Sequence, residues 1–282
     1  MQPTHDLIEP AAEPLPLLFD SPHSGRQWPA DWAPCASEAQ LATSWDAYVD
    51  ELFAAAPEHG AALLRAHFPR SFVDLNRARD DLDPELVEGP LPFAPRPTGK
   101  SRVGMGVLRR LALPDVPVYA APLPAAQVLG WLETYYDPYH ATLRARIDSL
   151  HARFGLVRHV DCHSMKSVGN AMNDDAGRAR PDFVVSDRDG TTADPAFTDF
   201  VAGCLRRHGY SVGVNDPYKG AHLVAAYGAP QRNIYSIQIE VNRSIYMDEI
   251  SLEKRPEFRQ VQQDIGEVIG EIAAYLRAEM GN

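Results

Sequence analysis

The 282-residue sequence predicts a three-layer α/β domain built on a mixed, mainly parallel sheet flanked by helices. Short apolar runs suited to strands alternate with amphipathic helical patterns, without a detectable repeat. Two of these runs break abruptly into chemically active residues: Leu17-Leu18-Phe19-Asp20-Ser21-Pro22-His23-Ser24-Gly25 and Val157-Arg158-His159-Val160-Asp161-Cys162-His163-Ser164-Met165. In open α/β sheets, loops leaving the C-terminal strand edge converge on one crevice, so histidines at such breaks stand where a ligand binds.

Composition narrows the function classes. The length suits one large domain spanning 1–282, or a domain with an elaborated lobe, and allows a full core. A net charge of −11 argues against non-specific nucleic-acid binding, which needs a basic footprint. No apolar stretch approaches the roughly 18 residues needed to cross a bilayer, and the N-terminus lacks the features of a signal peptide, so a cytoplasmic protein is expected. Cys35, Cys162 and Cys204 are too few and too scattered for a disulfide framework or a thiolate zinc site. The sequence contains no G-x-G-x-x-G, no P-loop and no G-x-S-x-G, which removes support for dinucleotide binding, P-loop nucleotide binding and the commonest serine-hydrolase signature.

Taken in order, the strand ending at His23 is followed by a helix from Ser37. Ser37 and Gln40 fit a capping box, and Leu41, Trp45, Val49, Leu52 and Phe53 recur at helical spacing. On that helix Asp46 borders the apolar face and Asp50 points further away, which makes Asp46 the better inward carboxylate; the plainer reading is two solvated helix acids. Gly60 closes the region and Ala61 to Ala66 reads as a strand. In Phe72-Val73-Asp74-Leu75-Asn76-Arg77, Asn76 and Arg77 offer a fork of donors for a substrate carboxylate, unless Arg70 or Arg77 serves a structural ion pair. Residues 80–124 are rich in Pro and Gly and predict a long connection with little regular structure, either a lid or a plain surface loop.

Two helical patterns split at Pro138 lead into the strand that carries His163. Beyond a small polar loop at 169–173, Asp182 to Ser186 reads as a strand, with Arg188 after it as a second candidate for carboxylate binding. Asp194 and Pro195 cap and start a helix that Gly209 stops. Ser211 to Asn215 is a short strand with Lys219 in its loop, and Ile234 to Arg243 is a strand carrying Glu240. A carboxylate after Ile237 and Ile239 is costly to bury unless it is paired, for example with Arg243, or used in proton transfer. The last helix, from about Pro256, presents one apolar stripe for packing.

The candidate site therefore comprises His23, Asp46, His163 and Glu240 with the cations Arg77, Arg188 and Lys219. Two imidazoles and one carboxylate leave an open position on a bound divalent ion, the arrangement of a catalytic zinc. Such an ion lowers the pKa of its water to about 7, and Glu240 is suited to relay the proton to a departing nitrogen.

Five short motifs in order carry a resemblance over nearly the whole chain: Ser21-Pro22-His23-Ser24-Gly25, Trp45-Asp46-Ala47-Tyr48-Val49-Asp50-Glu51-Leu52, Phe72 to Arg77, Asp161-Cys162-His163-Ser164-Met165, and Gln238-Ile239-Glu240-Val241-Asn242-Arg243-Ser244-Ile245-Tyr246. The sequence resembles the N-formylglutamate amidohydrolases. The resemblance implies a phosphorylase/hydrolase-like fold, shared with zinc carboxypeptidases, and a zinc-dependent hydrolase that releases formate from N-formyl-L-glutamate in histidine degradation. It implies His23 and His163 as metal ligands, Asn76 and Arg77 as binders of the substrate carboxylate, and Glu240 as the base. Where the peptidases carry H-x-x-E, this chain has Arg26, so the third ligand comes from elsewhere: Asp46 is favoured, with Asp50 or Glu51 as alternatives. The loop Lys219-Gly220-Ala221-His222 departs from the family's usual Gly and aromatic. Two competing readings are a hydrolase of another N-acyl amino acid or small peptide, and a non-catalytic carboxylate-binding protein whose histidines are structural.

Overall fold

The computed structural model describes residues 3–169 and 175–281; the 170–173 part of the expected polar loop lies outside the described residues. Its centre is a seven-stranded sheet of β1 (His5–Ile8), β2 (Leu17–Ser21), β3 (Ala62–Ala66), β4 (Val157–Met165), β5 (Phe183–Ser186), β6 (Val212–Val214) and β7 (Ile234–Asn242). Their spatial order is β1-β3-β2-β4-β7-β5-β6. The pairs β2–β4, β4–β7 and β5–β6 run parallel, whereas β7–β5 runs antiparallel. The sheet is thus mixed and mainly parallel, as the alternating pattern predicts. No helix among the described residues is long and apolar enough to cross a membrane.

The chain divides into two compact units. One contains Pro22–Trp45 and Arg65–Leu143 with the N-terminal residues to Asp6; the other contains Leu7–Ser21, Asp46–Leu64 and the chain from Arg144 onward. In the second unit, β4 and β7 pair over nine residues each, with Glu240 opposite His163 and Gln238 opposite Asp161. All nine residues of β4 are buried, which explains why it does not show the alternation of a half-exposed strand. The terminal helix (Phe258–Gly281) turns Ile265, Val268, Ile269 and Ile272 towards Phe19, Phe183 and Ile239 of the sheet. Each such side chain removed from water contributes about 1.5–3 kcal/mol.

Two expectations are corrected. The helix expected from Ser37 to Phe53 is two short ones, α1 (Glu38–Ala42) and α2 (Val49–Leu52), and Asp46 sits between them. The capping box of Ser37 and Gln40 is formed. Downstream, the hydroxyls of Thr43 and Ser44 donate to the carbonyls of Gln40 and Leu41, and Tyr48 takes a left-handed conformation with φ 61°. Such local hydroxyl bonds compete with helix continuation, so a helical wheel drawn through Asp46 has no physical basis.

The helical patterns are likewise not split at Pro138. Ala125–Trp131, a π segment at Leu132–Tyr136 and Asp137–Phe154 form one continuous run. The wider π turns immediately before Pro138 absorb a residue that cannot supply an amide hydrogen.

Residues 80–124 hold more structure than their composition suggests. Val87–Glu88 pairs with Leu123–Pro124, Leu111–Leu113 pairs with Val116–Pro117, and Gly99–Arg102 forms one helical turn. Leu82, Val107, Leu108 and Val118 are fully buried, so the segment contributes core to the first unit.

Candidate metal and hydrolase site

Parallel pairing decides where the strand-end residues go. Asp20 of β2 lies opposite Asp161 of β4, so the chain leaves β2 at the same sheet edge at which β4 reaches His163. His23 follows two residues after the end of β2. Its loop is fixed within the first unit: the Trp45 indole donates to the Ser24 carbonyl at 2.7 Å, and a Cβ on Gly25 would lie 2.1 Å from the His67 carbonyl carbon. Only glycine permits that approach. One ligand atom from each of His23, Asp46 and His163 lies within 4.8 Å of the others, and all three side chains are buried.

Each imidazole is also held by a carboxylate. His23 Nε2 lies 2.8 Å from Asp74 Oδ1, and His163 Nε2 lies 2.7 Å from Asp161 Oδ1, the latter an ion-pair contact rather than an aligned hydrogen bond. His163 Nδ1 lies 2.9 Å from Asp46 Oδ2, while Arg243 Nη2 donates to Asp46 Oδ1 at 2.9 Å and Arg243 Nε to Ser164 Oγ at 3.0 Å. Tyr246, fully buried, donates its hydroxyl to the Ala47 carbonyl and fixes the segment after Asp46.

The charges follow from this geometry. Burial alone would lower the pKa of His163, but Asp161 and Asp46 drive it well above the ordinary imidazole value. Burial raises the Asp161 carboxyl, helped by nearby Asp20 and opposed by His163. Asp74 is also fully buried, which raises its pKa; Arg70, His23 and Arg77 outweigh this and hold it well below the usual carboxylate range. The Arg70–Asp74 contact is 3.0 Å, so the structural ion pair weighed for Arg70 exists.

The remaining candidates fall as follows. Glu240 is buried beside His163 in the β4–β7 register, and Gln238 Nε2 donates to its Oε1 at 2.8 Å. Gln238 Oε1 in turn accepts from the Ala221 amide at 3.0 Å, which fixes the orientation of the amide group. The Arg77 guanidinium donates to the carbonyls of Met105 and Asn76, and the Asn76 amide donates to Asp74 Oδ1. Arg188 is exposed, with φ 55°, and donates to the Gly220 carbonyl; Lys219 pairs with Asp189 at 2.7 Å, both largely exposed. Asp50 is half-buried, and Glu51 pairs with Lys254, so neither joins the His23–Asp46–His163 group.

Comparison with known proteins now decides the family. The family model described as N-formylglutamate amidohydrolase matches residues 15–247. The chain belongs to this family. It is similar to an N-formylglutamate deformylase of Pseudomonas aeruginosa, with 33% identity over 239 residues and 83% of each chain covered, and to one of Pseudomonas putida at 31% identity over the same coverage. The crystal structure of an N-formylglutamate amidohydrolase from Ralstonia eutropha JMP134 is similar over 98% of this chain and 99% of that one, with 38% identity and a TM-score of 0.92. An Agrobacterium tumefaciens gene product at 17% identity and a TM-score of 0.69 shares the fold. For a member of this amidohydrolase family, the residues missed from sequence are Asp74, Asp161, Gln238 and Arg243 in these contacts. Period-two alternation in β4 and β7 places Asp161 with His163 and Gln238 with Glu240, a signal that was available. Nothing local in the sequence points to Asp74 as a partner of His23.

Proposed function

We propose that the chain is a metal-dependent deformylase that hydrolyses N-formyl-L-glutamate to formate and L-glutamate, a late step of histidine degradation, in the cytoplasm. The observation that carries this reading is a donor set of two imidazoles and one carboxylate in which each imidazole has a further carboxylate within 3 Å. Outer carboxylates of this kind orient histidine ligands and raise their basicity. His23, Asp46 and His163 would hold one divalent ion, most simply zinc, which supplies Lewis acidity and an acidified water when bound.

The chain's own groups do the rest. Arg243 holds Asp46 by one oxygen, so the other faces His163. Glu240 takes a proton from the attacking water and delivers it to the departing nitrogen. Gln238 donates to Glu240 and fixes its rotamer. Asn76 and Arg77 receive the carboxylate next to the scissile amide, the Arg77 fork already oriented by two backbone carbonyls. Arg188 and Lys219 contribute only by giving up the Gly220 carbonyl and Asp189.

Elemental analysis of the purified protein should find about one divalent ion per chain, and chelation should stop formate release from N-formyl-L-glutamate. Full activity after verified metal removal would rule out the metal-dependent reading. Parallel rates on formyl-, acetyl- and succinyl-glutamate identify the acyl group; binding without hydrolysis of any of them would leave a carboxylate-binding protein.

A further inference from the structure

The pair proposed to receive the substrate carboxylate, Asn76 with Arg77, lies on a stretch without regular structure of its own: the described residues 67–86 form no helix or strand. A guanidinium selects a carboxylate only where its backbone is fixed, so the carbonyls of such a stretch need donors from outside it. Two of these donors come from one helical run. Tyr136 donates its hydroxyl to the Arg77 carbonyl at 2.7 Å, and His140 Nε2 lies 3.0 Å from the Leu75 carbonyl oxygen. A carbonyl oxygen only accepts, so His140 carries a proton on Nε2. The two anchored carbonyls stand on either side of Asn76.

The rings that make these bonds also hold each other. Tyr136 and His140 stack with centroids 4.0 Å apart and planes 22° from parallel. The π segment aims the pair: a π turn takes up one residue more than an α turn, which rotates the face presented after it by roughly 100°. Before and within that segment, the rings of Trp131 and Tyr135 pack against Phe72 at 4.8 and 4.9 Å. From its end on, the helix grips the stretch further along, through Tyr136, His140 and Asp137, whose carboxylate accepts both prongs of Arg79 at 2.7 and 2.9 Å. All of these contacts lie within the first unit.

We propose that Tyr136 and His140 are positioning residues for the carboxylate receptor: the stacked pair pins the carbonyls of Leu75 and Arg77 and so sets the direction in which Asn76 and Arg77 present their donors. Arg77 is braced at both ends, through its backbone by Tyr136 and at its guanidinium by the Met105 and Asn76 carbonyls. Preorganisation of this kind lowers the ordering cost of binding, so it acts on substrate affinity and leaves proton transfer at Glu240 alone. This inference rests on the deformylase reading.

Three substitutions test it on N-formyl-L-glutamate. Tyr136→Phe and His140→Phe keep the stacked rings and remove one donor each; both should raise KM about 3- to 10-fold, with kcat and bound metal close to those of the wild type. His140→Gln restores an amide donor near the place of Nε2 and should recover most of the loss. A merely structural pair predicts lower melting temperatures with KM unmoved well below them, or equal losses from His140→Gln and His140→Phe, and either result would overturn the inference. So would an unchanged KM for Arg77→Met, which would place the carboxylate elsewhere. Should the wild-type protein release no formate from N-formyl-L-glutamate, the deformylase reading itself fails. Calorimetric binding of L-glutamate then decides separately: a Kd weakened by both Phe variants and recovered by His140→Gln supports the positioning role, whereas an unchanged Kd or no binding refutes it.

Discussion

The two faces of the β4–β7 pair are built from the same nine-residue strands, yet they do opposite things. One face carries Val160, Cys162, Ile237, Ile239 and Val241, joined by Phe19 and Phe183 and covered by the isoleucines and valine of the terminal helix. The other carries His159, Asp161, His163, Ser236, Gln238, Glu240 and Asn242, all buried. On that second face nearly every group has a named partner: His159 lies 2.8 Å from Asp20 and 2.7 Å from Ser236, and Asn242 donates to the carbonyls of Arg180 and Pro181. Burial without hydrogen bonding is costly, so a buried polar face persists only as a connected network. One face contributes stability through apolar area; the other spends some of that stability on preorganised chemistry.

Substitutions on the two faces should therefore separate function from stability. The largest effect is expected from Asp46→Ala or His163→Ala, which should remove both bound metal and formate release while circular dichroism stays that of a folded protein; retained metal would break the assignment. Glu240→Gln should reduce kcat by about 10²- to 10⁴-fold with metal content intact. Across the sheet, Ile272→Ala should cost about 2–5 kcal/mol in denaturant unfolding while leaving kcat and metal content alone well below the melting temperature. If Ile272→Ala changed kcat instead, the two faces would not be independent.

A smaller effect, about 10- to 100-fold weaker metal binding by competition with a chelator, is expected for Asp161→Asn or Asp74→Asn. Asp74 adds a pH signature. Its folded pKa lies below its unfolded value, so it stabilises the protein above the unfolded value, near pH 4, and that stability is lost as pH falls through the folded pKa. Asp74→Asn should remove this part of the acid-unfolding slope, measured in the metal-free protein.

β2, β3, β4, β5 and β7 were legible because each is an apolar-leaning run of four to nine residues ended by polar or turn-forming residues, and the fold class follows from their alternation with helices; β1, His-Asp-Leu-Ile, is no such run and was not anticipated. The strand-end histidines and Glu240 were visible for the same reason: a polar group closing an apolar run is conspicuous. The break between α1 and α2 was hidden because the apolar spacing from Leu41 to Phe53 mimics a helix, and only the local hydroxyl bonds of Thr43 and Ser44 and the φ of Tyr48 reveal the turn. The hold of Arg243 on Asp46 and Ser164 was hidden because partners 197 and 79 residues away in sequence leave no local trace. Pro and Gly content likewise suggested little regular structure in 80–124, although Leu82, Val107, Leu108 and Val118 are fully buried.

The single amide of Gln238 joins the Ala221 backbone on one side to the Glu240 carboxylate on the other. A change of loop sequence that shifts this backbone is transmitted through Gln238 to Glu240, the residue proposed to move the proton. Adaptation of this enzyme to a new substrate therefore has to proceed jointly at both positions, and laboratory evolution that randomises 215–222 should recover compensating changes at Gln238.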